Sequence, residues 1–514
     1  MVVHTLKKTN NSSSVAAQFH KALEENTKLW YNITNSRVSN FRVSNLQVNG
    51  VKLMFIGREY ELETLNKLYN EDKFHFIVMY GRRRVGKTTL LTEFCKDKPS
   101  IFFVAEEYND KIALESFSNK ILSYFGLNEM VSRFESWEKA FLFLAQQAKN
   151  KRLVVVIDEF PYIVNSNKSI PSLLQNLIDH HLKNTKLFLI ICGSSVSFIE
   201  KEVLSYKSPL YGRRTAQLVV EPFNFFESRK FFPNYNFENQ VIAYGVLGGV
   251  PQYLTNFDNT KDVYENIKTK ILDKASYLYE EPKLLLRQEV REPALYNSII
   301  EAIASGSSKL NEISTKVGVD TDKCSKYIST LIDLKILEKI TPVELKDKSR
   351  KSIYKIKDNF FRFWYRFVFP NKALIEQGLI DEVLENKIKP FMNEFIGEVY
   401  EEICMDYLKI LNKKKKLPFI FEKIGKWWGN NPYRKREEEI DIVALDKNNI
   451  IFGECKWHTK KVDMTVLNSL IEKSILFNYQ NKYYVLFSKS GFTVDVINFA
   501  RNNSNVFLIE KFDE

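Results

Sequence analysis

Cysteine is scarce in this 514-residue chain, and its five residues, Cys95, Cys192, Cys324, Cys404 and Cys455, lie far apart with no C-x-x-C and no nearby histidine pair. That scatter argues against both a disulfide framework and a zinc site, and it suits reduced thiols used in packing. Long apolar runs are also missing. The longest, Leu153-Val154-Val155-Val156-Ile157 and Leu187-Phe188-Leu189-Ile190-Ile191, fall well short of the roughly 18 residues a membrane-spanning helix requires. They read as buried parallel strands. The first nineteen residues carry Lys7 and Lys8 but no apolar h-region, so no secretory signal is visible and a cytoplasmic location, away from membrane, is expected.

What is present suffices for packed cores. Hydrophobic residues make up 44%, aromatics 14% and charged residues 27% of the chain, and the mean hydropathy is −0.28. These values describe a globular chain rather than a disordered one. The length predicts several domains. A net charge of +12 and a pI near 9.1 favour a polyanionic partner, with DNA the first expectation.

Composition and pattern divide the chain into segments. Residues 1–53, rich in Asn, Ser and Val, carry a short echo (Arg37-Val38-Ser39-Asn40, then Arg42-Val43-Ser44-Asn45) and read as a variable extension with no assigned function. Met54 stands directly before the first core-forming sequence, so the extension is either a tail or a misplaced start. Over 54–222, helical stretches alternate with short apolar strands at 75–80, 101–104, 153–158 and 187–192, the pattern of a doubly wound parallel sheet. Residues 223–290 read as helical. Residues 291–357 read as three short helices followed by two basic strands, a winged helix-turn-helix with helices at 307–317 and 321–334 and a wing at 336–343 and 352–356. An aromatic linker (358–389) leads to a separate α/β domain at 390–514, with a helix, three strands and another helix.

The octapeptide Gly81-Arg82-Arg83-Arg84-Val85-Gly86-Lys87-Thr88 fits G-x-x-x-x-G-K-[ST] and follows the apolar run ending at Tyr80. Glycines let the backbone curl so that N–H groups face a polyphosphate, and the helix beginning at Thr88 and Thr89 turns its positive end toward it. ATP is the expected ligand. Lys87 would reach the β/γ-phosphates and the Thr88 hydroxyl would ligate Mg²⁺. The apolar run at 153–157 ends in Asp158-Glu159: Asp158 would serve the metal, and Glu159 would polarise the attacking water. Ser194, after the next strand, would sense the γ-phosphate or orient that water.

Together with Phe55-Ile56-Gly57-Arg58-Glu59, Asp158-Glu159-Phe160, Leu210-Tyr211-Gly212-Arg213-Arg214 and Gly248-Gly249-Val250-Pro251, this loop resembles that of the archaeal-type P-loop ATPases, relatives of the AAA-like and STAND groups. The resemblance implies a helical lid in which Pro251 lies near the adenine. It also implies that Arg213 is a phosphate-sensing or finger arginine, acting in cis or across a homo-oligomer contact. An ordinary surface ion pair is the other reading of Arg213.

A second constellation lies near the C-terminus. Glu439-Ile440-Asp441-Ile442-Val443-Ala444-Leu445 and Ile450-Ile451-Phe452-Gly453-Glu454-Cys455-Lys456-Trp457 read as adjacent strands. Alternation puts Glu454 and Lys456 on one face, within reach of Asp441. Asp441 and Glu454 could bind Mg²⁺ or Mn²⁺, with Lys456 steering a water, the needs of phosphodiester hydrolysis. This is the D…E-x-K layout of restriction-endonuclease-like nucleases, and the closest resemblance is to the DUF234 domain that accompanies archaeal-type ATPases. It implies that Glu401 is the helical acid of the site. The block at 360–367 and the run Lys413-Lys414-Lys415-Lys416 could contact nucleic acid, or form a core between domains and a solvated helix end.

The expected fold is therefore α/β: a P-loop parallel sheet with a helical lid, a winged helix-turn-helix and a restriction-endonuclease-like C-terminal domain. The expected function is ATP hydrolysis coupled to DNA binding or metal-dependent DNA cleavage. The alternative is an ATP-switched regulatory or scaffold protein whose nuclease-like domain does not cut.

Overall fold

The apolar runs form the centre of a parallel five-stranded sheet built from β1 (His75–Tyr80), β2 (Ser100–Val104), β3 (Leu153–Asp158), β4 (Leu187–Gly193) and β5 (Ala216–Val219), in the order β2-β3-β4-β1-β5. The computed structural model describes residues 47–48, 51–52, 55–344, 351–432 and 434–512. The echo at 37–45 and the segment 345–350 of the expected wing lie outside them. Every residue of β1, β3 and β4 is buried, as a sheet covered on both faces requires. Phe76, Val78, Val155, Ile157, Leu189 and Ile191 fill one face; Ile77, Met79, Val154, Val156 and Ile190 fill the other.

Helices α1 (Glu59–Tyr69), α2 (Lys87–Cys95), α3 (Asp110–Phe125), α4 (Trp137–Gln147), α5 (Phe160–Ser166) and α6 (Ile170–Leu177) supply the covering layers. Local sequence sets their ends: Asn109 accepts from Ile112 N at the start of α3 (3.0 Å), and Gly126, at φ 69°, closes it. Strand β5 was not expected. It has four residues, of which only Leu218 is buried, too weak a pattern to separate from a loop.

Beyond the sheet come α7 (Phe237–Leu247), α8 (Tyr277–Glu289), α9 (Pro293–Ala304), α10 (Leu310–Val317) and α11 (Thr321–Asp333), then the antiparallel pair β6 (Leu337–Ile340) and β7 (Ile353–Ile356). The segment expected as a linker is instead helical, beginning with α12 (Asn359–Phe363). Phe360, Phe361, Phe363 and Trp364 are all fully buried, so the aromatic block is core and not a nucleic-acid platform.

The C-terminal part comprises α13 (Met392–Lys413), β8 (Lys423–Asn431), β9 (Arg436–Leu445), β10 (Asn449–Lys456), α14 (Met464–Lys473), β11 (Asn481–Ser488), α15 (Val494–Asn502) and β12 (Val506–Ile509). Its sheet has five strands in sequential order, antiparallel from β8 to β10 and parallel from β10 to β12, where three were expected. The lysine- and glycine-bearing β8 and the four-residue β12 lack a clean period-two pattern. Lys413 ends α13 and the lysines after it are exposed, the solvated helix end.

One apolar core runs from Phe223 to Phe512 and joins the helical segments to the C-terminal sheet. Trp457 packs on Phe237 and Tyr400, with ring centroids 6.2 and 5.0 Å apart. All five cysteines are buried and free, consistent with packing residues. Among the described residues, no helix is long and apolar enough to cross a membrane.

Candidate functional site

The loop after β1 is shaped by two glycines. A Cβ on Gly81 would lie 2.2 Å from the Val220 carbonyl oxygen, so only glycine permits that approach. Gly86, at φ 87° and ψ 24°, is the left-handed residue that opens α2. Lys87 is buried and its Nζ donates to the Gly81 and Arg82 carbonyls at 2.8 and 3.0 Å. The ammonium thus folds back over its own loop, at the position from which it can meet a polyphosphate. Val85 is held by a residue known from the sequence only as part of a motif: Arg58 donates to the Val85 carbonyl (2.9 Å) and the Glu221 carbonyl (2.7 Å) and lies over Phe223. Burial pulls the Arg58 guanidinium below its usual range.

The carboxyl edge of the sheet brings the acids to this loop. Thr88 Oγ1 donates to Asp158 Oδ2 at 2.6 Å, and the Glu159 amide donates to Asp158 Oδ1 at 3.0 Å. Glu159 adopts φ 52° and ψ 42°, a left-handed conformation that costs a non-glycine residue about 1 kcal/mol or more. Its Oε2 accepts from both the backbone N (3.2 Å) and Oγ (2.9 Å) of Ser194. Lys87, Thr88, Asp158, Glu159 and Ser194 are therefore gathered, and Pro251 joins them: its Cγ lies 3.8 Å from where a Cβ on Gly86 would sit. Thr89, exposed, follows in the first turn of α2. The Thr88–Asp158 hydrogen bond fits a Mg²⁺ shell in which Thr88 is a ligand and Asp158 a partner; a bound ion would draw charge from the phosphate oxygens.

Each of the three loop arginines has a carboxylate partner far away in sequence. Arg82 pairs with Asp358 and Arg84 with Glu281, both inside the protein. Arg83 donates from Nε to Glu289 (2.8 Å) and from Nη2 to the Tyr162 hydroxyl (3.3 Å). Glu281 also accepts from the Tyr253 hydroxyl at 2.6 Å. Asp358 caps α12 by accepting from Phe361 N at 2.9 Å. The loop is thereby tied to α8 and α12.

Arg213 stands elsewhere. Its Nε and Nη2 donate to Asp179 Oδ2 at 3.0 and 2.6 Å, and its Nη1 reaches the Pro209 and Tyr211 carbonyls. Hydrogen bonds from Arg213 and from Lys183 Nζ (2.9 Å) hold Asp179 down to about 2. None of these partners belongs to the phosphate loop; in this structure Arg213 makes the ion pair of its other reading. The reason is local: the helical turn at 178–182 presents a carboxylate within its reach.

The second cluster also assembles. One step beyond the Ile442–Gly453 pair of β9 and β10, Asp441 faces Glu454, and Asp441 Oδ2 accepts from Cys455 N at 2.8 Å. Lys456 Nζ donates to Glu454 Oε1 at 2.7 Å, while Lys473 of α14 lies 3.5 Å from Oε2. Glu401, on α13, pairs with Lys426 of β8, which also lies 3.9 Å from Glu439. Burial, with Glu454 and Glu401 adding, pushes Asp441 up to about 7. Burial raises Glu401 too, against the pull of Lys426. Lys456 stays above its usual value: burial opposes its charge, but Glu454 and Asp441 outweigh that.

Two facing carboxylates, with Glu454 Oε2 buried and without a hydrogen bond, fit a divalent cation at Asp441 and Glu454; the ion would polarise a phosphodiester and its water. Glu401 is held by Lys426, and among the described residues no three acids, histidines or cysteines are set as a ready metal shell. Lys426 and Lys473 were not foreseen, because neither lies in the E-x-K strand.

Comparison with known proteins identifies the family. Residues 55–257 match the model of an ATPase domain predominantly from Archaea, and residues 364–467 match DUF234, a family of archaeal and bacterial proteins of unknown function. An uncharacterized protein of Methanocaldococcus jannaschii is 38% identical over 442 residues, covering 85% of this chain and 96% of its own length. The chain belongs to the archaeal-type P-loop ATPases that carry a DUF234 domain. An uncharacterized ATP-binding protein of Pyrococcus abyssi is 27% identical to this archaeal-type ATPase over 237 residues, 40% of this chain and 69% of that one. A solved Walker-type ATPase of Pyrococcus abyssi aligns with 63% of this archaeal-type ATPase and 99% of its own chain, at 22% identity and a TM-score of 0.46.

Proposed function

We propose that this archaeal-type ATPase hydrolyses ATP at the loop bearing Lys87 and Thr88 and couples that turnover to DNA, which its C-terminal cluster binds or cuts. The observation that carries hydrolysis is the paired contact of Thr88 with Asp158 and Ser194 with Glu159, which leaves one acid for Mg²⁺ and a second for the attacking water. For cleavage, the support is Asp441, Glu454 and Lys456 on adjacent strands with Glu401 across from them. The helices α9 to α11 with β6 and β7 read as the winged helix-turn-helix that would take the duplex. Lys323 and Lys326 are exposed on α11, whereas Lys335 lies 3.5 Å from Glu221.

A second reading has its own support. Lys456, Lys473 and Lys426 already neutralise Glu454 and Glu401, the arrangement expected of a nuclease-like domain that binds without cutting and is switched by ATP. Nicking of supercoiled plasmid and degradation of single-stranded DNA, with Mg²⁺ or Mn²⁺ and with or without ATP, separate the two readings. Cleavage that disappears in Lys456→Ala while ATP turnover persists is the expected result. Mn²⁺ affinity should also weaken as pH falls from 8 to 6, because a proton competes at Asp441 near pH 7. No cleavage under any of these conditions selects the ATP-switched binding protein.

A further inference from the structure

The three loop arginines are not equivalent. The Arg82 side chain is 3% exposed and its partner Asp358 3%; Arg84 is 13% exposed and its partner Glu281 fully buried. Removing a buried carboxylate from a buried guanidinium costs about 3–5 kcal/mol, so both pairs are fixed props. Arg83 differs, with a side chain 32% exposed. Its partners sit on two elements around the reaction site: Glu289 at the end of α8, and Tyr162, three residues past Glu159 on α5. Burial pushes Glu289 above the usual carboxylate range, with Arg83 opposing and the Glu159 charge adding. The guanidinium, itself part of the phosphate loop, is thus one-third exposed, on a carboxylate only 10% exposed, and it also touches the helix that follows the acid assigned to the water.

We propose that Arg83 is the catalytic arginine of this ATPase, moving in cis from Glu289 and Tyr162 to the γ-phosphate, where it neutralises charge as the phosphoryl group transfers. The role rests on the ATPase reading above. Arg213, by contrast, is paired with Asp179 in this structure. The chemistry is unchanged: water attacks phosphorus, the bond to the β-phosphate oxygen breaks, and Arg83 donates hydrogen bonds without gaining or losing a proton.

Two variants separate catalysis from propping. Both Arg83→Ala and Glu289→Ala delete the ion pair, but only the first deletes the guanidinium. In full-length protein, Arg83→Ala should lower kcat by about 10²- to 10³-fold, leave KM within about fivefold, and abolish trapping of ADP with aluminium fluoride while still binding a non-hydrolysable ATP analogue. Glu289→Ala should keep kcat at or above the wild-type value, and Arg83→Lys should restore part of the loss. Equal losses in Arg83→Ala and Glu289→Ala, or an Arg83→Ala kcat within about threefold of wild type, overturn the assignment. A wild-type protein that binds the analogue but shows no turnover overturns the ATPase reading and the assignment with it.

Discussion

Glu159→Gln is expected to stop ATP hydrolysis while leaving ATP binding intact. The carboxylate is held on Ser194 by two hydrogen bonds, 2.9 and 3.2 Å long, in a left-handed backbone conformation that local sequence alone would not favour. Such an arrangement persists only when its surroundings impose it, and here they fix the carboxylate on Ser194, next to Asp158. A glutamine keeps the shape and still accepts from Ser194 through its carbonyl oxygen, but it cannot take a proton from water. General-base loss costs about 10²- to 10⁴-fold in rate, so kcat should fall by that factor with nucleotide affinity within a few-fold. Turnover measured by phosphate release and affinity measured by analogue titration check the two halves separately. Normal turnover in purified Glu159→Gln would remove this residue from the mechanism.

Asp358→Ala is expected to be the most destabilising single change considered. Asp358 neutralises the buried Arg82 guanidinium and at the same time caps α12, accepting from Phe361 N at 2.9 Å. Truncation strands Arg82 in a dry site, at about 3–5 kcal/mol, and removes a cap worth about 1 kcal/mol. Asp358→Asn retains a cap acceptor and should recover the smaller part alone. Replacing both members, as in Arg82→Met with Asp358→Met, should recover most of the larger part, because two apolar groups need no desolvated partner. Urea unfolding of the three variants orders them. If Asp358→Ala unfolds at the wild-type urea concentration, the pair is not the prop described here. The effect should reach past the loop, since α12 leads through Arg362 to Glu398 and Glu402 on α13, the helix that carries Glu401.

Residues that act through local pattern were legible before the fold was known. Lys87, Thr88, Asp158 and Glu159 follow from a strand feeding a glycine loop and a strand ending in acids, and the fold gathers them at one edge of the sheet. Asp441, Glu454 and Lys456 follow from two alternating strands and a turn, and the register brings them together. Partners distant in sequence were invisible. Arg82 meets Asp358 across 276 positions and Arg83 meets Glu289 across 206, and nothing in either neighbourhood identifies the other. Lys426 was hidden for a related reason, being a lysine in a strand with weak alternation whose role depends on an acid from α13. Arg213 is the opposite case, a local motif whose side chain meets a partner outside the motif. Its motif pointed to phosphate, but Asp179, 34 residues earlier, takes its guanidinium. The aromatic block at 360–367 lies in the segment expected as a linker, but its six aromatic residues carry more apolar surface than a solvated linker can expose, and their burial takes the reading of a core between domains.

The measurement that tests the central claim most directly is steady-state ATP hydrolysis by the full-length protein beside Lys87→Ala. Lys87 is the buried ammonium seated on the Gly81 and Arg82 carbonyls, and its loss should abolish both nucleotide binding and turnover while the thermal melting profile without nucleotide stays close to wild type. A wild-type protein that releases phosphate and a Lys87→Ala variant that does not is the predicted result. Equal phosphate release by the two proteins would contradict the account.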